Sequence, residues 1–317
     1  MDTLSHLLRL ARVEASLDMR CLVGPATRMD SPARAGREAP FHVLLEGSCR
    51  LHIGQRVLDM GPGDVVIVPS GAPHRIVTPG DGTPQGTTVT SGAAFLTARS
   101  GHGGPEVSDL FCGRYGFGAG SGSLLFHSLP DPIHVSFGRS DDSADVLGTL
   151  STLMRSEARR EGDGTAAILA GLCTALLAMV LRTARGANTT ATLWTAAGDT
   201  TIASLMERIF EAPGDDWSIE RMRRTTAMSR ATFLRRFGQS TGMTVGAFVT
   251  QARLMTAADL LTTDDATVAS VASRVGYRSE SAFSRAFRAA TGVTPGRFRR
   301  ESPTGARQVA DHGSSGR

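Results

Sequence analysis

A row of arginine and serine residues near the C-terminus has the spacing of one face of an α-helix. In GYRSESAFSRAFRAATG, residues 276–292, the row consists of Arg278, Ser281, Arg285 and Arg288, which recur every three or four positions. Alanines and phenylalanines occupy the opposite side, as expected of a buried face. Guanidinium and hydroxyl groups donate hydrogen bonds to phosphate oxygens and base edges, so the row suits nucleic-acid binding. An ordinary solvated helix face is the alternative.

The distribution of charge favours a polyanionic partner for the C-terminal part of the chain. All 34 basic residues are arginines. Residues 1–216 contain 18 arginines and 23 acidic residues, whereas residues 217–317 contain 16 arginines and 7 acidic residues. The two parts therefore have net charges of −5 and +9. Such an asymmetry indicates that the basic part binds a polyanion such as DNA.

An internal repeat predicts two helix-turn-helix units within residues 201–300. When the sequence is aligned with itself at an offset of 50 residues, several serine, arginine, phenylalanine and glycine residues coincide with residues of the same type. The matched pairs include Ser229 with Ser279, Phe233 with Phe283, Arg235 with Arg285, Phe237 with Phe287, and Gly242 with Gly292. In each copy a short helix precedes a tight turn and an arginine-rich helix with a serine at its N-cap position. If the linking helix VGAFVTQARLMTAADLLTT holds the units about one duplex turn apart (~34 Å), both arginine-rich helices reach successive major grooves.

Two of the cysteines have neighbours that favour thiol chemistry. The four cysteines form no CxxC pair and stand at positions 21, 49, 112 and 173. This spacing, together with an N-terminus unlike a signal peptide, favours a reducing cytoplasm over a disulfide framework. Arg20 adjoins Cys21, and Arg114 follows Cys112 by two residues. Because a nearby cation lowers the pKa of a thiol, both thiols are candidates for reaction with oxidants. The other two cysteines lie among apolar residues and are interpreted as packing residues.

Short β-type runs interrupted by turn residues predict a small antiparallel barrel or sandwich in the N-terminal half. Residues 40–77 contain such runs, separated by EGS, GPGD and PSGAP, and further short strands are expected up to residue 137. An amphipathic helix is expected over MDTLSHLLRLARVEASL, before the first strand. From about Asp145 the pattern is helical, and the apolar run 166–181 is too short to span a membrane, which favours a buried helix. The predicted fold class is α+β multidomain.

The C-terminal hundred residues resemble the DNA-binding domain of the AraC/XylS family of transcription regulators. The stretch VASRVGYRSESAFSRAFRAATGVTPGRFRR, residues 271–300, is similar to the family signature nearly throughout. The resemblance implies a sequence-specific transcription regulator whose partner is double-stranded promoter DNA. By position in the signature, the implied base-reading residues are Arg235, Ser281 and Arg285. The implied contacts to the DNA backbone are Arg230, Thr232, Arg236, Ser284 and Arg288.

The stretch GDVVIVPSGAPH, residues 63–74, resembles the second motif of the cupin family, with His74 in register. The first motif is degraded, because Pro40 stands where the motif has a glutamate. This departure counts against a metal-dependent cupin enzyme. His42 lies two residues further along and hence on the same strand face. The candidate zinc ligands are His42, His74 and Cys112, with water or Cys21 as the fourth. The alternative is that both histidines are hydrogen-bonded strand residues.

Four short motifs, DMRCLVG, FHVLLEGS, PSGAPHR and FCGRY, resemble those of AraC-type regulators that respond to reactive chlorine species. This resemblance implies a cupin domain that senses an oxidant through cysteines. Cys21 is then the primary target, and Cys112 either resolves it as a disulfide or binds the metal. A small organic effector inside the barrel is the alternative trigger. A cupin enzyme, and an architectural DNA protein without a sensor, are further alternatives.

The predicted organisation is contiguous along the chain. Residues 1–140 form the cupin-like sensor domain, 141–199 a helical linker that is also a candidate dimerisation region, 200–301 the DNA-binding domain, and 302–317 a disordered tail. RNA polymerase and a second copy of the chain are expected partners besides promoter DNA. No membrane partner is expected, and the expected location is the cytoplasm.

Overall fold

The computed structural model describes residues 2–34, 36–101, 105–118, 121–137, 141–160, 162–184 and 199–301. Within these residues the chain folds into two compact units. The sheet unit comprises the described residues of 14–116 and 130–184, and the helical unit comprises those of 1–13, 117–129 and 185–317. The predicted tail at 302–317 and residues 185–198 of the predicted linker lie outside the described residues.

The sheet unit contains two β-sheets and two long helices. Its strands are β1 (Glu14–Val23), β2 (Arg28–Ser31), β3 (Glu38–Glu46), β4 (Cys49–Ile53), β5 (Arg56–Met60), β6 (Asp64–Ile67), β7 (His74–Val77), β8 (Thr87–Ser91), β9 (Leu96–Ser100), β10 (Ser108–Gly116) and β11 (Ile133–Ser136). The larger sheet has the order β11-β6-β3-β10-β1-β9-β8, and the smaller one has the order β2-β7-β4-β5. Pairing is antiparallel except between β1 and β9.

Alternating side chains from the two sheets form the core of this unit. In β4, for example, Cys49 and Leu51 are buried whereas Arg50 between them is exposed. The turn between β3 and β4 requires Gly47, which has a φ of +83° and whose backbone lies against Val107 so closely that a Cβ atom would overlap it. The predicted α+β fold with an N-terminal sheet domain is therefore confirmed.

The two long helices of the sheet unit are α3 (Asp141–Arg160) and α4 (Thr165–Ala184). Helix α4 is long and apolar enough to cross a membrane by length and composition alone. One of its faces is nevertheless buried, including Leu169, Cys173 and Leu177. The hydroxyl of Tyr115 on β10 donates a hydrogen bond to the carbonyl oxygen of Cys173 (3.0 Å), which fixes α4 on the sheet.

The helical unit begins with α1 (Thr3–Ala11) and α2 (Ser121–His127). Its remaining helices are α5 (Thr200–Glu211), α6 (Ile219–Thr225), α7 (Arg230–Thr241), α8 (Val245–Thr263), α9 (Val268–Arg274), α10 (Glu280–Thr291) and α11 (Pro295–Glu301). Leucines at positions 4, 7 and 10 give α1 a buried face. At the C-terminal end of α1, Arg12 forms an ion pair with Asp259 of α8 (3.1 Å).

Two features of this architecture differ from the expectations. The N-terminal helix ends at Ala11, and residues 14–17, which continue its helical pattern in the sequence, instead begin β1. They do so because they pair with β10, a long-range interaction that overrides local periodicity. The compact units also cut across the contiguous boundary at residue 140, since the described residues of 1–13 and 117–129 belong to the helical unit.

Candidate nucleic-acid interface and candidate sensor site

Helix α10 has one buried and one exposed face. Phe283 and Phe287 are fully buried, and the ring of Phe287 packs edge-on against that of Phe298 with centroids 5.2 Å apart. Ser281 and Arg285 lie on the exposed side of the helix. The remaining predicted contact residues are Ser284, which is half-buried, and the exposed Arg278 and Arg288. The arginine row is thus available to a partner, as the phenylalanines hold the other side of the helix in the core.

Helix α7 repeats this arrangement in the first helix-turn-helix unit. Phe233 and Phe237 are fully buried. The predicted contact residues are Arg230, Arg235 and Arg236, which are exposed, and Thr232, which is half-buried. Arg236 is engaged within the protein, because its Nε lies 3.4 Å from a carboxylate oxygen of Asp199, the N-cap of α5. Among the other arginines of this set, none forms an ion pair with another described residue.

The repeat extends to the helix caps. The hydroxyls of Ser229 and Ser279 each accept a hydrogen bond from the backbone N–H three residues on, at 3.2 and 3.3 Å. Gly242 and Gly292 end the two helices in the left-handed conformation. The turns differ in length: three residues lie between α6 and Ser229, whereas four lie between α9 and Ser279. The additional residue leaves Arg278 exposed immediately before the second cap.

The sheet unit brings the predicted thiols and imidazoles together from β1, β10 and β3 of the larger sheet and from β7 of the smaller one. Cys112 of β10 stands opposite Met19 of β1 and opposite His42 of β3. Cys21 lies two residues beyond Met19 and therefore on the same face of β1. The four side chains face the core between the sheets, where Cys21, His42 and His74 are almost fully buried and Cys112 is half-buried.

These side chains form a continuous chain of contacts. The Sγ atoms of Cys21 and Cys112 are 3.7 Å apart. Sγ of Cys112 lies 3.1 Å from Nδ1 of His42, and Nε2 of His42 lies 2.7 Å from Nε2 of His74. Finally, Nδ1 of His74 lies 2.8 Å from the carbonyl oxygen of Ala72. The sequence singled out the four residues, but it did not predict the order of their contacts or the participation of the Ala72 carbonyl.

The carbonyl at the end of this chain fixes the position of every proton in it. A carbonyl oxygen only accepts, so Nδ1 of His74 carries a proton, and in the neutral ring Nε2 is then an acceptor. Nε2 of His42 must therefore donate to His74, which leaves Nδ1 of His42 as an acceptor for the thiol of Cys112. The sulfur of Cys112 can in turn accept a hydrogen bond from the thiol of Cys21.

The surroundings of this hydrogen-bonded chain keep both histidines and Cys112 neutral. Burial, together with the neighbouring His74 and Arg34, lowers the pKa of His42 to about 3. Burial also lowers the pKa of His74, although the hydrogen bond to Ala72 opposes this effect. The contact with Cys21, followed by burial, raises the pKa of Cys112 well above its usual value. At neutral pH, Cys112 is thus a thiol next to a neutral imidazole.

The placement of these donors does not fit the predicted zinc ion. His42 contacts Cys112 and His74 through the nitrogens on its two opposite edges, so the three side chains do not converge on one point. Nitrogens bound to one tetrahedral zinc at about 2.0–2.1 Å would be more than about 3 Å apart, whereas the two Nε2 atoms are at hydrogen-bond distance. Among the described residues, no group of three or more His, Cys, Asp or Glu is arranged to hold a metal ion.

The predicted cationic support of the two cysteines is also not observed. Arg20 points to the opposite face of β1 from Cys21, where its guanidinium donates to both carboxylate oxygens of Asp109 (3.1 and 2.8 Å). Arg114 is engaged by Asp18 and by Glu38. Strand alternation alone predicts the direction of Arg20. The base next to a thiol is instead His42.

Comparisons with known proteins match the N-terminal and the C-terminal parts of the chain to separate families. A family model described as Cupin matches residues 2–185, and a model described as Helix-turn-helix domain matches residues 222–301. The chain is an AraC-family helix-turn-helix regulator with an N-terminal cupin domain. It is a DNA-binding transcription regulator rather than an enzyme, as predicted from the degraded first cupin motif.

Several relatives of the regulator are similar along nearly their whole length. An uncharacterized HTH-type transcriptional regulator of Haemophilus influenzae is 28% identical over 302 residues, which cover 95% of this chain and 99% of the relative. The RCS-specific HTH-type transcriptional activator RclR of Escherichia coli K12 is 25% identical over 301 residues, covering 94% of this chain and 97% of RclR. Among solved structures, the DNA-binding domain of AdpA in complex with a target DNA is 30% identical, with a TM-score of 0.31, and covers 36% of this chain and 98% of that domain.

Proposed function

We propose that the cupin domain of this regulator senses a strong oxidant of the reactive-chlorine class by forming a disulfide between Cys21 and Cys112. The observation that carries the proposal is the 3.7 Å separation of their sulfur atoms inside a neutral hydrogen-bonded chain. A disulfide bond is about 2.05 Å long, so the sulfurs need to approach by less than 2 Å. A relative named as RCS-specific, RclR, supports the choice of oxidant.

Cys112 is the thiol that reacts first in this proposal, in contrast to the order expected from the sequence. It is half-buried and adjoins a base, whereas Cys21 is only 1% exposed. The sulfur of Cys112 attacks the chlorine of hypochlorous acid, so that an S–Cl bond forms and hydroxide leaves. The sulfur of Cys21 then displaces chloride, which forms the S–S bond and releases the Cys21 proton. Overall, two thiols and one HOCl give a disulfide, chloride, a proton and water.

The two histidines accept the proton of Cys112 in the first step. Nδ1 of His42 takes the thiol proton, while Nε2 of His42 passes its own proton to His74. The resulting cation resides on His74, where the hydrogen bond to the Ala72 carbonyl stabilises it. The relay therefore avoids a charge on His42, the ring whose burial opposes protonation most strongly.

The high pKa of Cys112 favours selectivity for strong oxidants. A protonated thiol is a poor nucleophile, so mild oxidants such as hydrogen peroxide react with it slowly. Hypochlorous acid is intrinsically far more reactive and does not require a preformed thiolate. The resting site therefore favours a response to reactive chlorine over a response to peroxide.

Disulfide formation would also shift β1 against β10. Cys21 and Cys112 are diagonal neighbours in the ladder, because Cys112 pairs with Met19. Such neighbours have Cα atoms about 7–8 Å apart, at or beyond the span of an unstrained disulfide. The ladder already has a bulge between Leu17 and Met19, where movement is easiest.

The test uses the full-length regulator with Cys21→Ser, Cys112→Ser and the control Cys49→Ser. Stoichiometric hypochlorite should remove two thiols from the wild type, and peptide mass spectrometry should find the Cys21–Cys112 crosslink. Transcription from a regulated promoter should change on oxidation and revert with dithiothreitol. Cys49→Ser should behave like the wild type. If both serine variants at positions 21 and 112 respond like the wild type, the redox proposal is wrong and an effector inside the barrel becomes the better account.

For DNA recognition we infer the contacts from the exposed faces of α7 and α10. Arg235, Ser281 and Arg285 would read base edges, and Arg230, Thr232, Ser284 and Arg288 would bind the DNA backbone. Arg278 adds a backbone contact before α10. Arg236 can bind a phosphate only if its ion pair with Asp199 breaks first. Contacts with RNA polymerase and with a second copy of the chain stay predictions.

A further inference from the structure

Arg253, near the middle of the linking helix α8, joins the helix to the entrance of the first helix-turn-helix unit. Its Nε donates a hydrogen bond to the carbonyl oxygen of Pro213 (2.9 Å), and its Nη2 donates to that of Asp215 (3.0 Å). Both carbonyls belong to the loop between α5 and α6. Because both acceptors are carbonyls on one short loop, the guanidinium holds the loop backbone rather than a mobile side chain.

The same guanidinium also lies against the turn of the second helix-turn-helix unit. Gly276 stands in the turn between α9 and α10 with a φ of +83°. A Cβ atom there would come within 2.8 Å of Nη2 of Arg253 and within 2.8 Å of the carbonyl oxygen of Gly214. A Cβ at Gly214 would overlap the carbonyl oxygen of Arg274. The α5–α6 loop and the α9–α10 turn thus pack closely against each other and against Arg253, and neither Gly214 nor Gly276 has room for a side chain.

The chemistry of arginine suits this position. Its planar fork presents several N–H groups in fixed directions, so one side chain can donate to two carbonyls while its face packs against a glycine. A lysine ammonium is a single point and cannot span both acceptors in the same way.

We propose that Arg253 is a positioning residue that locks the two helix-turn-helix units at one separation, and so restricts the regulator to DNA with one spacing between its half-sites. Gly276, which lies against Arg253, is followed two residues later by Arg278 and then by Ser279, the N-cap of α10. A change in this turn therefore moves the second recognition helix relative to the first. One base pair shifts the second half-site by about 3.4 Å and about 35°, which a rigid pair of units cannot follow. The inference rests on the proposal that α7 and α10 both read DNA.

The experiment compares DNA spacings rather than affinity alone. The probe is a duplex that the wild-type regulator selects from a random-sequence pool, with its half-sites located by hydroxyl-radical footprinting. Derivatives carry one inserted base pair, one deleted base pair, or only one half-site. The variants are Arg253→Met and Arg253→Lys, with Arg208→Met on α5 as a control that removes one exposed charge from the same unit.

The wild type and Arg208→Met should lose about 10-fold or more in affinity when the spacing changes by one base pair, because one half-site is then misplaced. Arg253→Met should bind the original duplex less tightly, discriminate between spacings by less than about 3-fold, and bind the single half-sites like the wild type. Arg253→Lys, which keeps the charge and the aliphatic stem, should lose the same discrimination, and it keeps the test readable if Arg253→Met unfolds.

Unchanged spacing discrimination in the folded variants would overturn the proposal. If Arg253→Met loses affinity equally for the whole duplex and for single half-sites, Arg253 is a general stabiliser of the fold and not a positioning residue. A wild-type footprint with a single half-site would instead refute the joint reading by α7 and α10, and the proposal with it. The footprint thus distinguishes an error in the proposed DNA contacts from an error in the proposed role of Arg253.

Discussion

The rings of His42 and His74 share a hydrogen bond between their Nε2 atoms, 2.7 Å apart in a buried site of the cupin domain. Such a bond exists only while one of the two nitrogens is unprotonated. Protonation of both rings would place two cations in contact, away from water. The pair can therefore hold one additional proton at most, and burial, which lowers the pKa of His42 to about 3, keeps that ring neutral.

Stability should fall as the pH is lowered through the range in which an unfolded histidine titrates. The folded pKa of His42 is about 3, against an ordinary value of 6.5, so the unfolded chain binds more protons between these limits. The free energy of unfolding should then decrease by up to about 1.4 kcal/mol per pH unit below about pH 6.5. Urea unfolding at pH 7.5, 6.5, 5.5 and 5.0, with EDTA present, measures this slope.

His42→Gln should reduce this slope, and His52→Gln, a change to a half-buried histidine of β4, is the matched control. A slope identical in the wild type and His42→Gln would show that His42 is not buried in its neutral form. The comparison uses slopes because His42→Gln also removes hydrogen bonds and changes the absolute stability.

Cys49 and Cys173 should stay unreacted when hypochlorite oxidises the sensor pair. Both side chains are fully buried, whereas Cys112 is half-buried, so the oxidant reaches Cys112 first. Burial, the largest cause in each case, also raises the pKa of both thiols to about 12. Among the described residues, neither thiol has a sulfur or imidazole hydrogen-bond partner like that of Cys112. Quantitative alkylation after one equivalent of oxidant should recover both thiols intact in native protein. Oxidation of Cys49 at the rate of Cys112 would contradict the assigned site.

Local sequence was sufficient to predict the two helix-turn-helix units but not the details of the sheet unit. The 50-residue repeat includes the cap serines and the buried phenylalanines, which act within a few residues of each other, so both helix-turn-helix units follow from it. The start of β1 could not be predicted, because Glu14–Leu17 become a strand only through pairing with β10. Likewise, the order of the thiol–imidazole chain depends on the carbonyl of Ala72, a backbone group that no motif records.

Arg285 and Arg288 should have different effects on DNA binding. Arg285→Ala should cost about 1–3 kcal/mol on the selected duplex and relax preference at one base pair, as expected of a base-reading residue. Arg288→Ala should weaken binding to all sequences and lower the slope of log K against log salt by about one. Fluorescence anisotropy at several salt concentrations, on the selected duplex and on random DNA, measures both effects. Equal shifts on the two DNAs for both variants would contradict the assignment.

A network of ion pairs links β1 and β10, the strands that contain Cys21 and Cys112, to helix α3. Arg20, adjacent to Cys21, is bound to Asp109 of β10 by two hydrogen bonds, and both side chains are largely buried. Arg155 of α3 lies 4.0 Å from the same carboxylate, is paired with Glu46, and donates to the carbonyl of Leu45 (3.3 Å). A shift of β1 against β10 therefore moves the carboxylate that Arg20 and Arg155 share. We infer that this contact would carry the proposed strand movement from the disulfide to helix α3.

Arg155→Met should therefore uncouple oxidation from the transcriptional response. Methionine keeps much of the packing volume but removes the charge and the donors, so the strands can still move without transmitting the movement to α3. The Cys21–Cys112 disulfide should form at the wild-type rate, while the ratio of transcription with and without hypochlorite should fall toward one. Arg159→Met, at an exposed position of the same helix, should keep the wild-type ratio. If Arg155→Met keeps the full response while its disulfide forms normally, the signal leaves the sheet by another route. If the disulfide itself fails to form, Arg155 instead supports the geometry of the thiol pair.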